Sequence, residues 1–173
     1  MAKIFFGIGS NINPRENIFL ALNEIKSKFT KIKISPVYQN KSAGFEGEDF
    51  LNLVVSCTTE MDVYEVQDFI EYVHDLSGRK RGSDKFLSRT LDVDLLIYDQ
   101  KVINNNRLKI PRDDILKYSF VLKPLMDIDP ELIHPVTQCS VREHWKLMDK
   151  SGHPLTLIDL NLYFSLHYKF FRL

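Results

Sequence analysis

The sequence lacks most of the features that announce a function class. Its 23 lysines and arginines are cancelled by 23 aspartates and glutamates, so the overall charge gives no argument for nucleic acid or an anionic membrane, and any anion site has to be local. Only two cysteines occur, Cys57 and Cys139, without the spacing of a metal site; they read as reduced thiols rather than a disulfide framework. The opening MAKIFFGIGSN breaks at glycine too early for a signal sequence or membrane span, so the expected location is cytoplasmic. No GKS or GKT occurs, which excludes a Walker loop, and G-I-G-S-N lacks the third glycine and the following parallel βαβ unit of a dinucleotide fingerprint. His74, His134, His144, His153 and His167 show no zinc spacing. There is no repeat, low-complexity tract or linker. What remains is an ordinary globular composition, 44% hydrophobic over 173 residues, read as one domain spanning 1–173 with 160–173 as a tail.

Periodicity predicts an α+β fold. Ile4 to Ile8 reads as a buried first strand ended by Gly9, Ser10 and Asn11. A helix follows, with Asn13 as cap, Pro14 at the first position, Glu16 completing a capping box, and a stripe of Ile18, Leu22, Ile25 and Phe29. Ile32 and Ile34 lead through Pro36 to Val37 and Tyr38, a second strand on an edge where proline is tolerated, and a loop runs from Asn40 to Asp49. Phe50 to Thr58 alternates Leu51, Leu53, Val55 and Cys57 against Phe50, Asn52, Val54 and Ser56. Asp62 with Glu65 opens a second helix with a stripe of Val63, Val66, Ile70 and Val73, stopped by a left-handed Gly78. The order βαββα with one more strand predicts two helices backed on one sheet, a ferredoxin-like sandwich with its other face open to ligands. Beyond it, Asp99 to Asn106 reads as a turn and hairpin, Ile115 to Met126 as a helix, and Ser140 with Glu143 as the start of a last helix near Trp145. The tail alternates apolar residues, compatible with a packed strand or with a frayed terminus.

The strand SRTLDVDLLIYD carries the informative anomaly. Thr90, Asp92 and Asp94 share one face, opposite Leu91, Val93, Leu95 and Ile97. The two carboxylates stand roughly 7 Å apart along the strand and repel unless a cation lies between them, which suits one or two hard ions, magnesium first. An edge strand with its polar face in water is the commoner origin of D-x-D. The neighbouring GRKRGSDKFLSR concentrates Arg79, Lys80, Arg81, Lys85 and Arg89 in an otherwise neutral chain. Basic residues beside a metal site are what a polyphosphate needs; alone, they would be a solvated loop. On their strand face, Phe50 could stack on a flat heterocycle and Asn52 bond its edge, or both could be ordinary strand residues.

Taken together, GSN at 9–11, FLN at 50–52, GRKR at 78–81, SRTLDVDLLIY at 88–98 and FVLKPLMDIDPELIHP at 120–135 resemble the 6-hydroxymethyl-7,8-dihydropterin pyrophosphokinase family of folate biosynthesis. The resemblance implies a three-layer α/β/α sandwich with ferredoxin-like core topology, and transfer of pyrophosphate from ATP to the pterin hydroxymethyl group, leaving AMP. It implies that Asp92 and Asp94 hold two magnesium ions on the ATP phosphates, with one aspartate available to take the hydroxyl proton and with Arg79, Arg81 and Arg89 reaching phosphates from a basic loop that closes over the substrates. Phe50 and Phe120 would sandwich the pterin, Asn52 would bond its edge, and backbone around Asn40, Ala43 and Gly44 would read its amide and amino groups. Glu71, His74, Arg81, Lys85, Lys109, Arg112 and Tyr118 would line the nucleotide. The implied partners are the two substrates, with no nucleic acid or membrane, in a monomer or weak homodimer.

Some positions depart from the family pattern. Arg112 stands where histidine usually follows the proline, Tyr118 where a phosphate-binding arginine precedes F-V-L, and Phe86 where tryptophan is common. His74 and Glu71 occupy positions where glutamate and glutamine, respectively, usually face the nucleotide. Arg112 would replace the charge missing at Tyr118. These departures define the alternative function, a catalytically impaired relative that binds pterin or nucleotide in a regulatory or scaffolding role. An RNA-binding ferredoxin-like module is disfavoured by zero net charge and the absence of an RNP-type aromatic pattern.

Overall fold

The computed structural model describes residues 1–41, 48–78 and 90–160. The elements are β1 (Ala2–Ser10), α1 (Pro14–Lys28), β2 (Thr30–Ile34), β3 (Val37–Asn40), β4 (Phe50–Thr59), α2 (Val63–Leu76) and β5 (Asp92–Tyr98). After them come a small hairpin of β6 (Ile103–Asn104) and β7 (Lys109–Ile110), then α3 (Asp114–Lys117), α4 (Ser119–Ile128), α5 (Val141–Leu147) and β8 (Thr156–Ile158). The main sheet is antiparallel in the order β5-β1-β4-β3-β8, with β2 also pairing β4. The expected second strand is thus two short strands, divided at Ser35 and Pro36, where the chain crosses from β2 to β3.

Strict alternation sorts the sheet residues into two cores. Ile4, Phe6 and Ile8 of β1 and Leu53, Val55 and Cys57 of β4 meet Ile18, Leu22 and Ile25 of α1 and Val66, Ile70 and Val73 of α2. Phe5 and Val54 point the other way, against Ile115, Leu122, Leu125 and Val141 from α3, α4 and α5. The sheet face expected to be open is therefore covered over part of its length, giving three layers. The apolar stripe of residues 115–141 needs burial, and this face is the surface it finds.

Other expectations need correction. Ile97 does not share a face with Leu95: Phe5 pairs with Ile97 and Phe6 with Leu95, so Leu96 is an extra residue on β5. That bulge reverses the alternation, sending Leu96 and Ile97 into the second core and Tyr98 into the first. Asn13 precedes α1 in a left-handed conformation, φ 42°, and makes no side-chain cap, so no capping box forms with Glu16. Asn17 Nδ2 instead donates to the Ile12 carbonyl at 2.7 Å. The helix expected over 115–126 is broken at Tyr118, whose φ of −120° and ψ of 126° separate α3 from α4. β8 was not foreseen, and of the tail only Leu160 lies among the described residues; its carbonyl accepts from Arg15 Nη2 at 2.6 Å. The capping boxes at Asp62–Glu65 and Ser140–Glu143 form, and Gly78 follows α2 at φ 66°.

Burial sets the chemistry of two side chains outside the sheet's polar face. The Cys57 thiol is pushed up to about 12 by burial, which makes it an inert core residue, whereas Cys139 is exposed. His134 is buried, and its Nδ1 accepts the Val136 and Thr137 amides at 3.3 Å each. Burial, and then the neighbouring His144, hold its pKa below the ordinary value. A histidine kept neutral in the folded state binds fewer protons than the unfolded chain, so its contribution to stability is complete above about pH 6.5 and is lost as pH falls through the lower folded value. Urea midpoints measured across this range should decline on acidification, and His134→Gln, which keeps an acceptor without titrating, should flatten the decline. An unchanged pH slope in that variant would refute the assignment.

Candidate active site

Beyond the end of the helical cover, the second sheet face carries polar groups on three neighbouring strands. Gly7 of β1 lies between Asp94 of β5 and Val54 of β4, and Gly9 lies between Asp92 and Asn52. Directly opposed residues share a face, so two carboxylates and one carboxamide border a floor made of glycine backbone. Two strand spacings, roughly 10 Å, separate the Asp92 strand from the Asn52 strand.

This packing leaves little room for a side chain at either glycine. A Cβ on Gly9 would stand 2.9 Å from Asn52 Oδ1, and one on Gly7 would meet the Leu96 methyls at 3.2 and 3.3 Å. The bulged Leu96 thus leans over Gly7, while Asn52 leans over Gly9. In the sequence, G-I-G reads only as an incomplete dinucleotide motif, yet two glycines two apart on a strand also signal the close approach of another group.

Asn52 is held rigidly. Its Nδ2 donates to Asn40 Oδ1 at 2.5 Å, and Asn40 Nδ2 donates to the Lys41 carbonyl at 2.8 Å. Both asparagines are buried, and Asn40 pairs across the ladder with Phe50. This relay turns the Asn52 carbonyl toward the glycine floor. Phe120 is the second residue of α4, which packs on β4 and β3. Its ring stacks on Tyr118 at 4.9 Å and 15°, and the His153 ring meets both edge-on at 5.5 Å.

The aspartates differ in their surroundings. Arg112 Nη2 lies 3.7 Å from Asp94 Oδ2, while Asp114 Oδ2 holds the same guanidinium by Nη2 at 2.7 Å and Nε at 3.0 Å. Burial works against the Arg112 charge, but Asp94, Asp114 and Asp92 outweigh it and hold its pKa above the ordinary range. The Arg112 amide also donates to the Leu96 carbonyl at 3.0 Å. Among the described residues no cluster of three or more histidine, cysteine or acidic side chains could hold a metal. Two carboxylates alone fit magnesium, which keeps waters and takes further ligands from substrate phosphates.

The remaining expected residues are distributed as follows. His74 is buried under β5, where its Nε2 accepts the Val93 amide at 2.9 Å. Glu71, one turn earlier on α2, accepts from Gln67 at 3.4 Å. Lys109 pairs with Asp113 at the surface. Ala43, Gly44, Arg79, Arg81, Lys85, Phe86 and Arg89 lie outside the described residues.

Known proteins resemble this chain in sequence and fold. The family model described as 7,8-dihydro-6-hydroxymethylpterin-pyrophosphokinase matches residues 5–130. The 2-amino-4-hydroxy-6-hydroxymethyldihydropteridine pyrophosphokinase of Aquifex aeolicus is 36% identical over 145 residues, covering 83% of this chain and 90% of that protein. The protein of the same name from Haemophilus influenzae is 32% identical over 142 residues, covering 80% and 88%. The crystal structure of Plasmodium falciparum HPPK-DHPS superposes with a TM-score of 0.64 at 14% identity over 84% of this chain, which spans 43% of that longer one; at this identity the likeness concerns the fold. The chain belongs to the 7,8-dihydro-6-hydroxymethylpterin-pyrophosphokinase family.

Proposed function

We propose that the chain transfers pyrophosphate from ATP to 6-hydroxymethyl-7,8-dihydropterin, releasing AMP, as a step of folate biosynthesis. The observation that carries this reading is the convergence of Asp92, Asp94 and Asn52 around the Gly7–Gly9 floor, an anionic edge facing a rigid amide edge on one surface. The pterin hydroxymethyl oxygen attacks the β-phosphorus, the bond from that phosphorus to the oxygen bridging the α-phosphate breaks, and AMP leaves with that oxygen. The hydroxyl proton passes to an aspartate oxygen or to water. Two magnesium ions at Asp92 and Asp94 would supply charge neutralisation to the triphosphate.

The chain's own groups place the reactants. Phe50 and Phe120 take the two faces of the pterin, with Tyr118 stacked behind Phe120 as a further aromatic layer. Asn52 offers its carbonyl to the pterin amino and ring N–H groups. Arg112 lies beside Asp94, close enough to turn toward phosphate once the carboxylate has a cation, and Arg79, Arg81 and Arg89 are assigned the remaining phosphate contacts. Glu71, Lys85 and Lys109 are assigned to the nucleotide side. Holding attacking oxygen and phosphorus in line in a dry site is the main requirement of this chemistry. A cytoplasmic location and a monomeric or weakly dimeric state belong to the same proposal; no described helix is long and apolar enough to cross a membrane.

Phosphorus NMR of the protein with ATP, magnesium and the pterin tests this. AMP and a pterin diphosphate should appear together, and only with the pterin present. Folded protein that binds pterin but forms no AMP would instead be the impaired relative.

The glycine floor yields a separate expectation. Gly9→Ala places a methyl 2.9 Å from Asn52 Oδ1 and must displace an amide anchored by Asn40. Pterin affinity, measured by calorimetry, should fall about tenfold, the scale of one misplaced hydrogen bond, while ATP affinity holds. Unchanged pterin binding would remove Asn52 from the recognition edge.

A further inference from the structure

β5 is the outermost strand of the main sheet among the described residues, so its outer backbone groups have no neighbouring strand to pair with. Asp92 and Asp94 are on this strand, and Val93 stands between them. Because amides alternate in direction along a strand, the Val93 N–H points outward while those of Asp92 and Asp94 turn toward β1. The outward amide is met by His74 Nε2 at 2.9 Å in a fully buried bond. The only ring nitrogen that can accept is an unprotonated one, so this bond fixes the imidazole as the tautomer with its proton on Nδ1.

His74 is set in place by its own helix. It lies in the last turn of α2, where the Ser77 hydroxyl and the Ser77 amide bond its carbonyl at 2.7 and 3.2 Å. α2 is anchored to the sheet by Val66, Ile70 and Val73. A rigid helix end therefore grips a strand edge at the residue between two carboxylates. The grip is reinforced three residues further along, where the Arg112 amide donates to the outward carbonyl of the bulged Leu96.

We propose that His74 is a positioning residue for the Asp92–Asp94 pair: its bond to the Val93 amide keeps the strand flat enough that both carboxylates face one cation site. This rests on the metal-ligand role proposed above for the aspartates. Without the bond, the edge amide seeks water, the strand twists locally, and the carboxylates lose their common direction. His74 then acts on the metal through backbone geometry, and the pterin edge at Asn52, two strands away, is left unaltered.

The test combines His74→Phe, which keeps ring volume without an acceptor, and His74→Gln, whose side-chain oxygen restores one. Two readouts apart from turnover are the hydrogen exchange of the Val93 amide and Mn2+ binding, followed by electron paramagnetic resonance with a non-hydrolysable ATP analogue. His74→Phe should speed Val93 exchange and weaken Mn2+ binding about ten- to a hundredfold, the usual scale for a group supporting metal ligands, with pterin affinity unchanged. His74→Gln should recover both. Fast exchange with wild-type Mn2+ affinity would overturn the proposal by making the bond structural only. Equal losses of Mn2+ and pterin binding would overturn it as well. Asp94→Asn in parallel isolates the underlying assumption: if that variant binds Mn2+ normally, the metal-ligand reading fails rather than the role of His74. Should His74→Phe not fold, His74→Asn, whose shorter amide does not reach Val93, is read by the same criteria.

Discussion

Asp94→Asn should lower kcat by about a thousandfold or more without unfolding the protein, because it removes a charge made to face a cation and a transferring phosphoryl group. Asparagine matches aspartate in size and keeps a polar head beside Arg112, so packing is preserved; only the negative charge is lost. Asp94 faces the glycine floor rather than either core, and its ion pair with Arg112 is long, at 3.7 Å, while Asp114 holds the same guanidinium more closely at 2.7 Å. The free energy of unfolding should therefore change by no more than about 0.5 kcal/mol, as for substitutions away from cores and buried networks. Steady-state turnover with excess magnesium is the measurement. Normal kcat in the folded variant would remove the metal assignment, and with it the explanation of why a repulsive carboxylate pair exists on this strand.

Asn52→Ala should cost about ten- to a hundredfold in pterin affinity and leave ATP affinity within about twofold. Recognition by a buried amide is lost more heavily than one hydrogen bond would suggest, since the ligand's own donors are left desolvated and unpaired. The variant also strips Asn40 Oδ1 of its 2.5 Å donor in a buried position, so a stability loss of about 1–3 kcal/mol should accompany the binding defect. Separate calorimetric titrations with each ligand decide the matter. Equal losses for ATP and pterin would mean that the substitution disturbs the sheet as a whole and that Asn52 has no specific pterin role.

The two predictions concern opposite sides of one floor, and the sides were not equally readable in advance. The carboxylates stood out because charge inside an otherwise apolar strand is an anomaly that alternation alone exposes. Asn52 did not: a single polar residue on a strand is common, and its meaning depends on Gly9 beneath it and Asn40 beside it, 43 and 12 positions away in the chain. His74 could only be assigned to the nucleotide side through the family pattern, because nothing in its own helix reveals that Val93 lies within reach. The basic segment that the sequence singled out most clearly, Arg79 to Arg89, is not among the described residues, and its role remains proposed.

What the sequence determined by itself is everything governed by neighbours within about one helical turn or one strand pleat. The alternating faces of β4, the stripe of α2, the boxes at Asp62–Glu65 and Ser140–Glu143 and the left-handed Gly78 all follow from side-chain periodicity and local backbone hydrogen bonding. The tertiary structure alone decided the bulge at Leu96, the covering of the second sheet face, the break at Tyr118 and the staple from His74 to Val93. Each depends on register, meaning which residue of a distant segment arrives opposite which. Local patterns leave that choice open, because a strand can shift or bulge without altering the alternation that made it a strand. It is settled by the simultaneous burial of Phe5, Val54, Leu96 and Leu122 in one core, a condition that exists only once the whole chain has packed.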